Sequence, residues 1–357
     1  MSEKNKIKIG VAGLRGIPGV MGGVETHCEE LYKRMSANFE ILVYGRKGYV
    51  ESSIISSSLK VKSLYSPKQQ SLETPFHTLI SILHCYMFSR VDVFHIHGIG
   101  GSMFLPLAKI LFPKVLVTHH SQNYEHQKWG RLAKFVFKCG EKFALKYADK
   151  VFFVSKTLLD ISKKRYPEKA NNYQFMANGF SLPDLSVNVP DVNYPFFLAV
   201  GRLVPEKGFH DLVDAFNLYK GDEKLVIAGD TDFKSSYADN IRRNAGPNII
   251  FLGRKSRSQL KWLYSNSKSF ILPSYSEGLP ISALEAVSCS APVVMSDIVQ
   301  NKDLGFPDDC YFKLGDINNL LVMLQQGGKQ VDKRILGNYD WDKIAINYEK
   351  SIIKVTT

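Results

Sequence analysis

Lys268-Ser-Phe-Ile-Leu-Pro-Ser-Tyr-Ser-Glu-Gly-Leu-Pro-Ile-Ser-Ala-Leu-Glu-Ala-Val-Ser288 runs from an apolar segment through a polar turn into a helical one. Lys268 to Pro273 reads as a short buried strand and its exit. Pro280 suits a first helical position, where its fixed φ matches the helix and its missing N–H is not needed, and Ile281 to Val287 continue the helix. Glu277 then lies on the loop ahead of the helix, and Glu285 on the helix itself, in its second turn. Between them the backbone N–H groups from Gly278 to Ile281 have no partner within the helix. Carboxylates that accept hydroxyl protons and amides that donate thus lie side by side. A polyhydroxylated ligand next to a phosphate requires that mixture.

The same strand–loop–helix order appears earlier, in Leu198-Ala-Val-Gly-Arg-Leu-Val-Pro-Glu-Lys-Gly-Phe209. A strand ends at Gly201, and Arg202 and Lys207 occupy a glycine-bounded loop before a helix from His210 to Tyr219. Arg offers phosphate a bidentate fork and Lys a mobile point charge. Strands expected at Ile7–Ala12, Phe39–Tyr44, Val91–His95, Val115–Thr118 and Val151–Val154 alternate with helices at Val24–Met35, Phe76–Phe88, Met103–Leu111 and Leu132–Tyr147. That is a doubly wound parallel sheet, with ligands at the C-terminal ends of its strands. The Ser-rich stretch Arg46–Gln70 shows the least pattern.

A polar, proline-bearing stretch from Leu182 to Pro195 reads as a linker. Beyond it the alternation restarts, with strands expected at Phe197–Val200, Leu225–Ala228, Ile249–Leu252, Phe270–Leu272 and Val293–Met295. The fold class is therefore α/β with two Rossmann-like domains, residues 1–184 and 195–340, followed by a terminal helix from Trp341.

Gly201-Arg202…Glu206-Lys207-Gly208 followed by Glu277-x7-Glu285 resembles the retaining glycosyltransferases of the GT-B fold, family 4, over essentially the whole chain. Gly13-Leu-Arg-Gly-Ile-Pro-Gly-Val-Met-Gly-Gly-Val-Glu-Thr26 and Ser296-Asp-Ile-Val-Gln-Asn-Lys-Asp-Leu-Gly305…Tyr311-Phe312 look like a bacterial surface-polysaccharide subset that includes rhamnosyltransferases. The resemblance implies two domains facing across a cleft, with helix 341–357 packed back on the first. It implies that Arg202 and Lys207 hold the donor diphosphate, with Gly22 and Gly23 facing it from the first domain. Glu285 would take the nucleotide ribose. Glu277, with the amides of Gly278, Leu279 and Pro280, would take the sugar hydroxyls. Glu25 and Thr26 would point toward the acceptor.

Family members carry Thr-x-His with the His at the reacting sugar, which matches Thr118-His-His-Ser121 at His120, with His119 the neighbour to distinguish. The chain departs from the family at Ser290, where many members have Gly, and at Asp297-Ile-Val-Gln-Asn-Lys302, which replaces a glycine-rich stretch.

Of the excess positive charge, all belongs to the first half: residues 1–180 hold 26 Lys and Arg against 13 Asp and Glu, and the remainder 20 against 21. No helix-turn-helix, zinc-finger or RNP signature accompanies it, so nucleic acid is not the expected partner. An anionic membrane surface is. In Lys128–Tyr147, Lys134, Lys138, Lys142 and Lys146 recur every four residues, opposite Leu132, Phe135, Val136, Phe143 and Tyr147 by helical spacing. Scattered cysteines, a polar start at Met1–Lys8 and the lack of a long apolar run point to a cytoplasmic protein, peripheral at most.

His95-Ile-His97 puts two rings on one face of a strand end, but no acid completes a metal set with them. Asp230-Thr-Asp232 resembles a metal-binding Asp-x-Asp in the wrong context, so no metal or cofactor is expected.

The implied reaction moves a sugar from a nucleotide diphosphate sugar, with dTDP-rhamnose the donor expected, to a hydroxyl of a lipid-linked or growing surface glycan. The resemblance implies a front-face, retaining course, and no side chain is an obvious nucleophile on the opposite face. A sugar-nucleotide epimerase or a non-catalytic scaffold of the same fold stays open.

Overall fold

The computed structural model describes residues 6–67, 69–122, 130–181, 187, 189, 191–231 and 234–357, without the side chains of residues 70 and 71. Most of the expected linker and Asp232 lie outside the described residues. The described chain up to Asn178 joins with Trp341–Thr357 as one compact unit, and Gly179–Asp340 forms the other.

In the first unit the chain runs β1 (Ile7–Ala12), α1 (Gly23–Lys33), β2 (Phe39–Arg46), β3 (Ser53–Ile54), β4 (Leu59–Leu64), α2 (Gln70–Phe88), β5 (Val93–His97), α3 (Leu105–Leu111), β6 (Lys114–His119), α4 (Arg131–Tyr147), β7 (Lys150–Phe153), α5 (Lys156–Arg165) and β8 (Tyr173–Phe175). The sheet order is β3-β4-β2-β1-β5-β6-β7-β8, and only β3 is antiparallel to its neighbour. Strands buried on both faces in such a sheet read as unbroken apolar runs, as Val115–Val117 and Val151–Phe153 do.

Three expectations need correction here. The Ser-rich stretch contains a parallel strand, β4, whose Leu59 and Val61 turn inward while Lys60 and Lys62 face solvent. The strand expected at Val91–His95 is shifted to Val93–His97, since Asp92 turns aside to accept the Lys8 N–H at 2.8 Å. On α4, Leu132, Phe135 and Tyr147 are exposed beside Lys138 and Lys142; only Val136 and Phe143 lean inward, and Phe143 packs on the core. The lysines and those bulky side chains therefore share a face.

The second unit runs β9 (Phe196–Val200), α6 (Phe209–Leu218), β10 (Lys224–Ala228), α7 (Ser236–Asn244), β11 (Ile249–Gly253), α8 (Arg257–Asn266), β12 (Ser269–Leu272), α9 (Ile281–Ser288), β13 (Val293–Ser296), α10 (Val299–Lys302), β14 (Tyr311–Phe312) and α11 (Ile317–Gln326). Its strands are all parallel, in the order β11-β10-β9-β12-β13-β14. Phe197, Phe209, Leu212, Ile227 and Leu320 join the sheet to α6 and α11. Each fully buried side chain of this size contributes about 1.5–3 kcal/mol.

The terminal helix α12 (Trp341–Thr356) belongs to the first unit. Its buried residues Trp341, Ile344, Ala345, Tyr348 and Ile352 fall on one helical stripe, and it packs on α1.

Strand order reverses once in each unit, between β1 and β5 in the first and between β9 and β12 in the second. Loops that leave neighbouring strands in opposite directions open a crevice at such a point. The sequence motifs leave those strands.

Candidate functional site

In the second unit, β9 delivers Gly201 and Arg202, a tight 3-10 turn spans Pro205–Lys207, and α6 follows. Gly208 links turn to helix at φ +66°, and a Cβ there would fall 1.9 Å from the Pro273 carbonyl oxygen. Only glycine combines that left-handed backbone with so close an approach. The turn is laced to the β12 exit, since the N–H groups of Tyr275 and Ser276 donate to the Glu206 carbonyl at 2.9 and 3.4 Å.

This lacing brings Lys207 and Glu277 together. Lys207 Nζ donates to Glu277 Oε1 at 2.6 Å, and Ser274 Oγ donates to the same oxygen at 2.6 Å. Arg202 is half-buried, and among the described residues its guanidinium has no hydrogen-bond or ion-pair partner. Glu285 stands apart from that pair, on α9, where the buried Tyr264 hydroxyl donates to its Oε2 at 3.4 Å. Burial and the adjacent Glu285 charge push the Tyr264 phenol well up, so it stays a donor.

Pro280 is not the first helical residue. Its ψ of 102° is extended, and α9 begins at Ile281. Proline also lacks an N–H, so in this turn Gly278 and Leu279 can donate and Pro280 cannot. The Leu279 and Pro280 side chains are buried and shape the turn from beneath. Asp230 is engaged elsewhere: its Oδ1 accepts from Thr231 N–H at 2.8 Å and from Arg242 at 2.6 Å.

In the first unit, the glycine loop after β1 ends at Gly22, which precedes α1 at φ +153° with Glu25 so near that a Cβ would meet its Oε2 at 2.0 Å. The buried Glu25 turns back into the loop and accepts the Arg15 N–H at 3.0 Å, while Glu29 accepts that of Gly19 at 2.9 Å. Thus α1 carboxylates hold two loop amides, and Gly22 and the exposed Gly23 present the open helix start. Thr26 is half-buried one turn on.

Beside this loop stands a buried cluster of imidazoles. His97 Nδ1 and His120 Nε2 are 3.1 Å apart, His97 Nε2 meets the Tyr32 hydroxyl at 2.7 Å, and that hydroxyl meets His95 Nδ1 at 2.9 Å. His95 Nε2 reaches the Thr118 hydroxyl at 2.9 Å, and Tyr348 of α12 bonds His95 Nδ1. His27 of α1 completes the group, edge-on to His120 at 5.0 Å and to Trp341 at 5.6 Å. Its Nδ1 lies 2.9 Å from Asn178 Oδ1, an acceptor, so the proton sits on Nδ1. That leaves a buried lone pair on Nε2 without a hydrogen-bond partner among the described residues.

Desolvation lowers His27 to about 4 and holds His95, His97 and His120 well below the usual imidazole range. The cluster is therefore neutral at neutral pH. His119 points away from it, to Glu141 Oε1 at 3.1 Å, and Arg165 takes the other Glu141 oxygen at 2.8 Å. Burial alone would raise Glu141; His119 and Arg165 overcome it and hold the carboxyl below its ordinary range. His120 and not His119 thus faces the cluster.

Among the described residues, His27, His97 and His120 form the one group of side chains whose ligand atoms, within 4.8 Å of one another, could hold a metal ion. His97 and His120 would have to surrender their mutual hydrogen bond to do so.

A sequence profile described as Glycosyltransferase Family 4 matches residues 21–182, and one described as Glycosyl transferases group 1 matches residues 184–304. Together they run almost unbroken from α1 to the end of α10. The chain belongs to the group 1, family 4 glycosyltransferases. This glycosyltransferase is 25% identical to an uncharacterized glycosyltransferase of Methanocaldococcus jannaschii, over 92% of its own chain and 94% of that one. It is 26% identical to the UDP-Gal:alpha-D-GlcNAc-diphosphoundecaprenol alpha-1,3-galactosyltransferase of Escherichia coli, over 90% and 88%. The structure of a sucrose-phosphate synthase from Thermosynechococcus elongatus covers 98% of this chain and 99% of its own, with a TM-score of 0.83 at 20% identity. The glycosyltransferase accordingly has the two-domain GT-B fold.

Sequence reasoning missed the supports of this transferase's site. Asn301 Nδ2 donates to Ser296 Oγ at 3.0 Å, Ser296 Oγ to the Ser274 carbonyl at 2.5 Å, and Ser274 Oγ to Glu277. The departure at Asp297–Lys302 thereby supplies a brace for Glu277. Tyr275 is fixed likewise, donating to Asp211 Oδ2 at 2.7 Å and stacked on His210. His27 and Tyr32 carry a weak signal on α1, which also buries Glu25, Glu29 and Glu30. Their partners come from strands and from α12, which spacing alone does not pair.

Proposed function

We propose that the enzyme transfers a sugar, with retention at the anomeric carbon, from a nucleotide diphosphate sugar to a hydroxyl of a lipid-linked or growing surface glycan. The observation that carries this is the Lys207–Glu277 ion pair, braced by Ser274 at the turn that leads through Gly278 and Leu279 into α9. It sets a phosphate-seeking cation against a hydroxyl-seeking carboxylate, as the junction between sugar and diphosphate requires. The Escherichia coli relative, named for a diphosphoundecaprenol acceptor, supports an acceptor carried on lipid. We place the reaction in the cytoplasm, at the inner face of the membrane.

In this reading the bond between the anomeric carbon and the diphosphate breaks, and charge develops on the leaving phosphate. Arg202 and Lys207 stabilise that charge. The acceptor oxygen bonds to the anomeric carbon on the face the phosphate leaves, and its proton passes to a phosphate oxygen. Glu285 holds the ribose; Glu277, with the Gly278 and Leu279 amides, holds the sugar hydroxyls. Neutral His120 offers the sugar a hydrogen bond in place of a charge, and Thr26 lies on the acceptor side, whereas Glu25, expected there too, is turned back into the glycine loop by the Arg15 N–H. Two cations at the diphosphate take the part a metal would play, so chelators leave turnover unchanged.

Thermal-shift measurements with UDP-, GDP- and dTDP-sugars test the donor, because a ligand that binds the native state raises its apparent stability. The expected result is stabilisation by dTDP-rhamnose, followed by transfer to a lipid-linked glycan. Stabilisation by another base reassigns the donor. Stabilisation by none overturns the proposal, and donor conversion without acceptor makes the protein an epimerase.

A further inference from the structure

The helices α2, α3, α4 and α5 all press on one core. Ile82 and Cys85, Leu105 and Ala108, Ala144 and Leu145, and Leu158 and Leu159 meet there against a single face of the first unit's sheet. Their opposite sides therefore form one outer surface. The turn Gly101–Phe104 lies between α2 and α4 and touches both, and α3 packs along α4.

That surface is unusually apolar for one in water. Ile110 is 82% exposed, Leu132 77%, Phe88 71%, Phe135 64% and Met87 63%. These side chains come from three helices, and isolated exposed hydrophobics would need no explanation where a shared face does. The surface is also cationic. Arg131, Lys138 and Lys142 are exposed on α4 among Leu132 and Phe135. The acids of α2 and α4 do not offset Arg131 and Lys142, since Glu73 is buried against Arg46 and Glu141 is buried against His119 and Arg165.

We infer that this outer face of α2, α3 and α4 docks the enzyme on an anionic lipid bilayer, with Phe88, Ile110, Leu132 and Phe135 entering the acyl boundary and Arg131 and Lys142 meeting headgroup phosphates. Charge decides the occupant. A second copy presenting the same face would set like charges against each other, whereas an anionic leaflet attracts basic residues and accepts apolar ones beside them. Nucleic acid would satisfy the cations but leave Ile110, Leu132 and Met87 against phosphate. The inference extends the proposal of a lipid-linked acceptor. Its test uses neither donor nor acceptor, so the two fail separately.

The experiment is co-sedimentation of the full chain with phosphatidylglycerol–phosphatidylcholine vesicles, compared with vesicles of phosphatidylcholine alone. The expected result is binding to the anionic vesicles only, weakened by salt. Binding should fall at least tenfold in Arg131→Glu/Lys142→Glu and, separately, in Phe88→Ser/Phe135→Ser. The exposed Lys220→Glu, in the second unit, should bind as the wild type does. Equal thermal stability of all variants shows that each is folded. The inference is overturned by absent vesicle binding, by variants that bind as the wild type does, or by Lys220→Glu losing as much. Concentration-dependent dimerisation that Phe88→Ser/Phe135→Ser abolishes would overturn it in favour of a second copy.

Discussion

Replacing Glu277 by Gln should drive product binding and catalysis in opposite directions. The substitution keeps an oxygen for Lys207 Nζ and Ser274 Oγ, both 2.6 Å away, and removes only the charge. At that separation the Coulombic attraction is about 6 kcal/mol for an effective dielectric of ~20. Desolvation and the partial exposure of Lys207 leave a net value of about 1 kcal/mol. Lys207 released from that constraint becomes available to a diphosphate, so nucleoside diphosphate affinity should rise about fivefold. Turnover should fall, because a charge-assisted hydrogen bond to a sugar hydroxyl, worth about 1.5–3 kcal/mol, becomes a neutral one. The neutral bond retains about 0.5–1.5 kcal/mol of that, so the loss is roughly 5- to 13-fold in kcat/KM. Titration calorimetry with the diphosphate, beside steady-state transfer assays, measures both. Weaker diphosphate binding together with near-normal transfer would refute the division of labour between Lys207 and Glu277.

Other outcomes follow from the same geometry. The folded His27 sits at about 4, below its unfolded value, so the unfolded chain takes up the proton first as pH falls. Stability should therefore drop between about pH 6.5 and pH 4, by about 3 kcal/mol from His27 alone. Urea unfolding across that window should show a flatter pH dependence in His27→Asn. Gly208→Ala should cost at least about 3 kcal/mol by denaturant unfolding, because left-handed strain adds to a clash with the Pro273 carbonyl. His119→Asn should cost about 2 kcal/mol of stability and spare turnover, whereas His120→Asn, which also loses a buried hydrogen bond, should slow turnover of the folded enzyme. An exchange of those two phenotypes would mean that the wrong ring has been placed at the sugar.

The parts of the site held within one strand–loop–helix segment were legible in the sequence. Lys207 and Glu277 leave neighbouring strands at a reversal of strand order, and each stands where periodicity and loop chemistry put it. What depends on a third element was not legible. The brace from Asn301 through Ser296 to Ser274 crosses from α10 to the β12 exit, and nothing in local spacing pairs those residues. The imidazole cluster likewise needs α1, β5, β6 and α12 at once. β4 was hidden because its period-two alternation is only Leu59-Lys-Val-Lys62, inside a serine-rich stretch at the sheet edge. On α4 the error was physical in another way. Helical spacing gives which residues share a face, but the core needed only a narrow stripe there, and Leu132 and Phe135 were left with the lysines.

The central claim is that the enzyme breaks and remakes an anomeric bond on one face, with Lys207 stabilising the departing diphosphate. Proton NMR of the glycan product, read from the anomeric coupling of the transferred sugar, tests it most directly. The account predicts the donor's own anomeric configuration in the product, and a rate at least about a hundredfold lower for Lys207→Ala. An inverted product, or Lys207→Ala turning over near the wild-type rate, would contradict it.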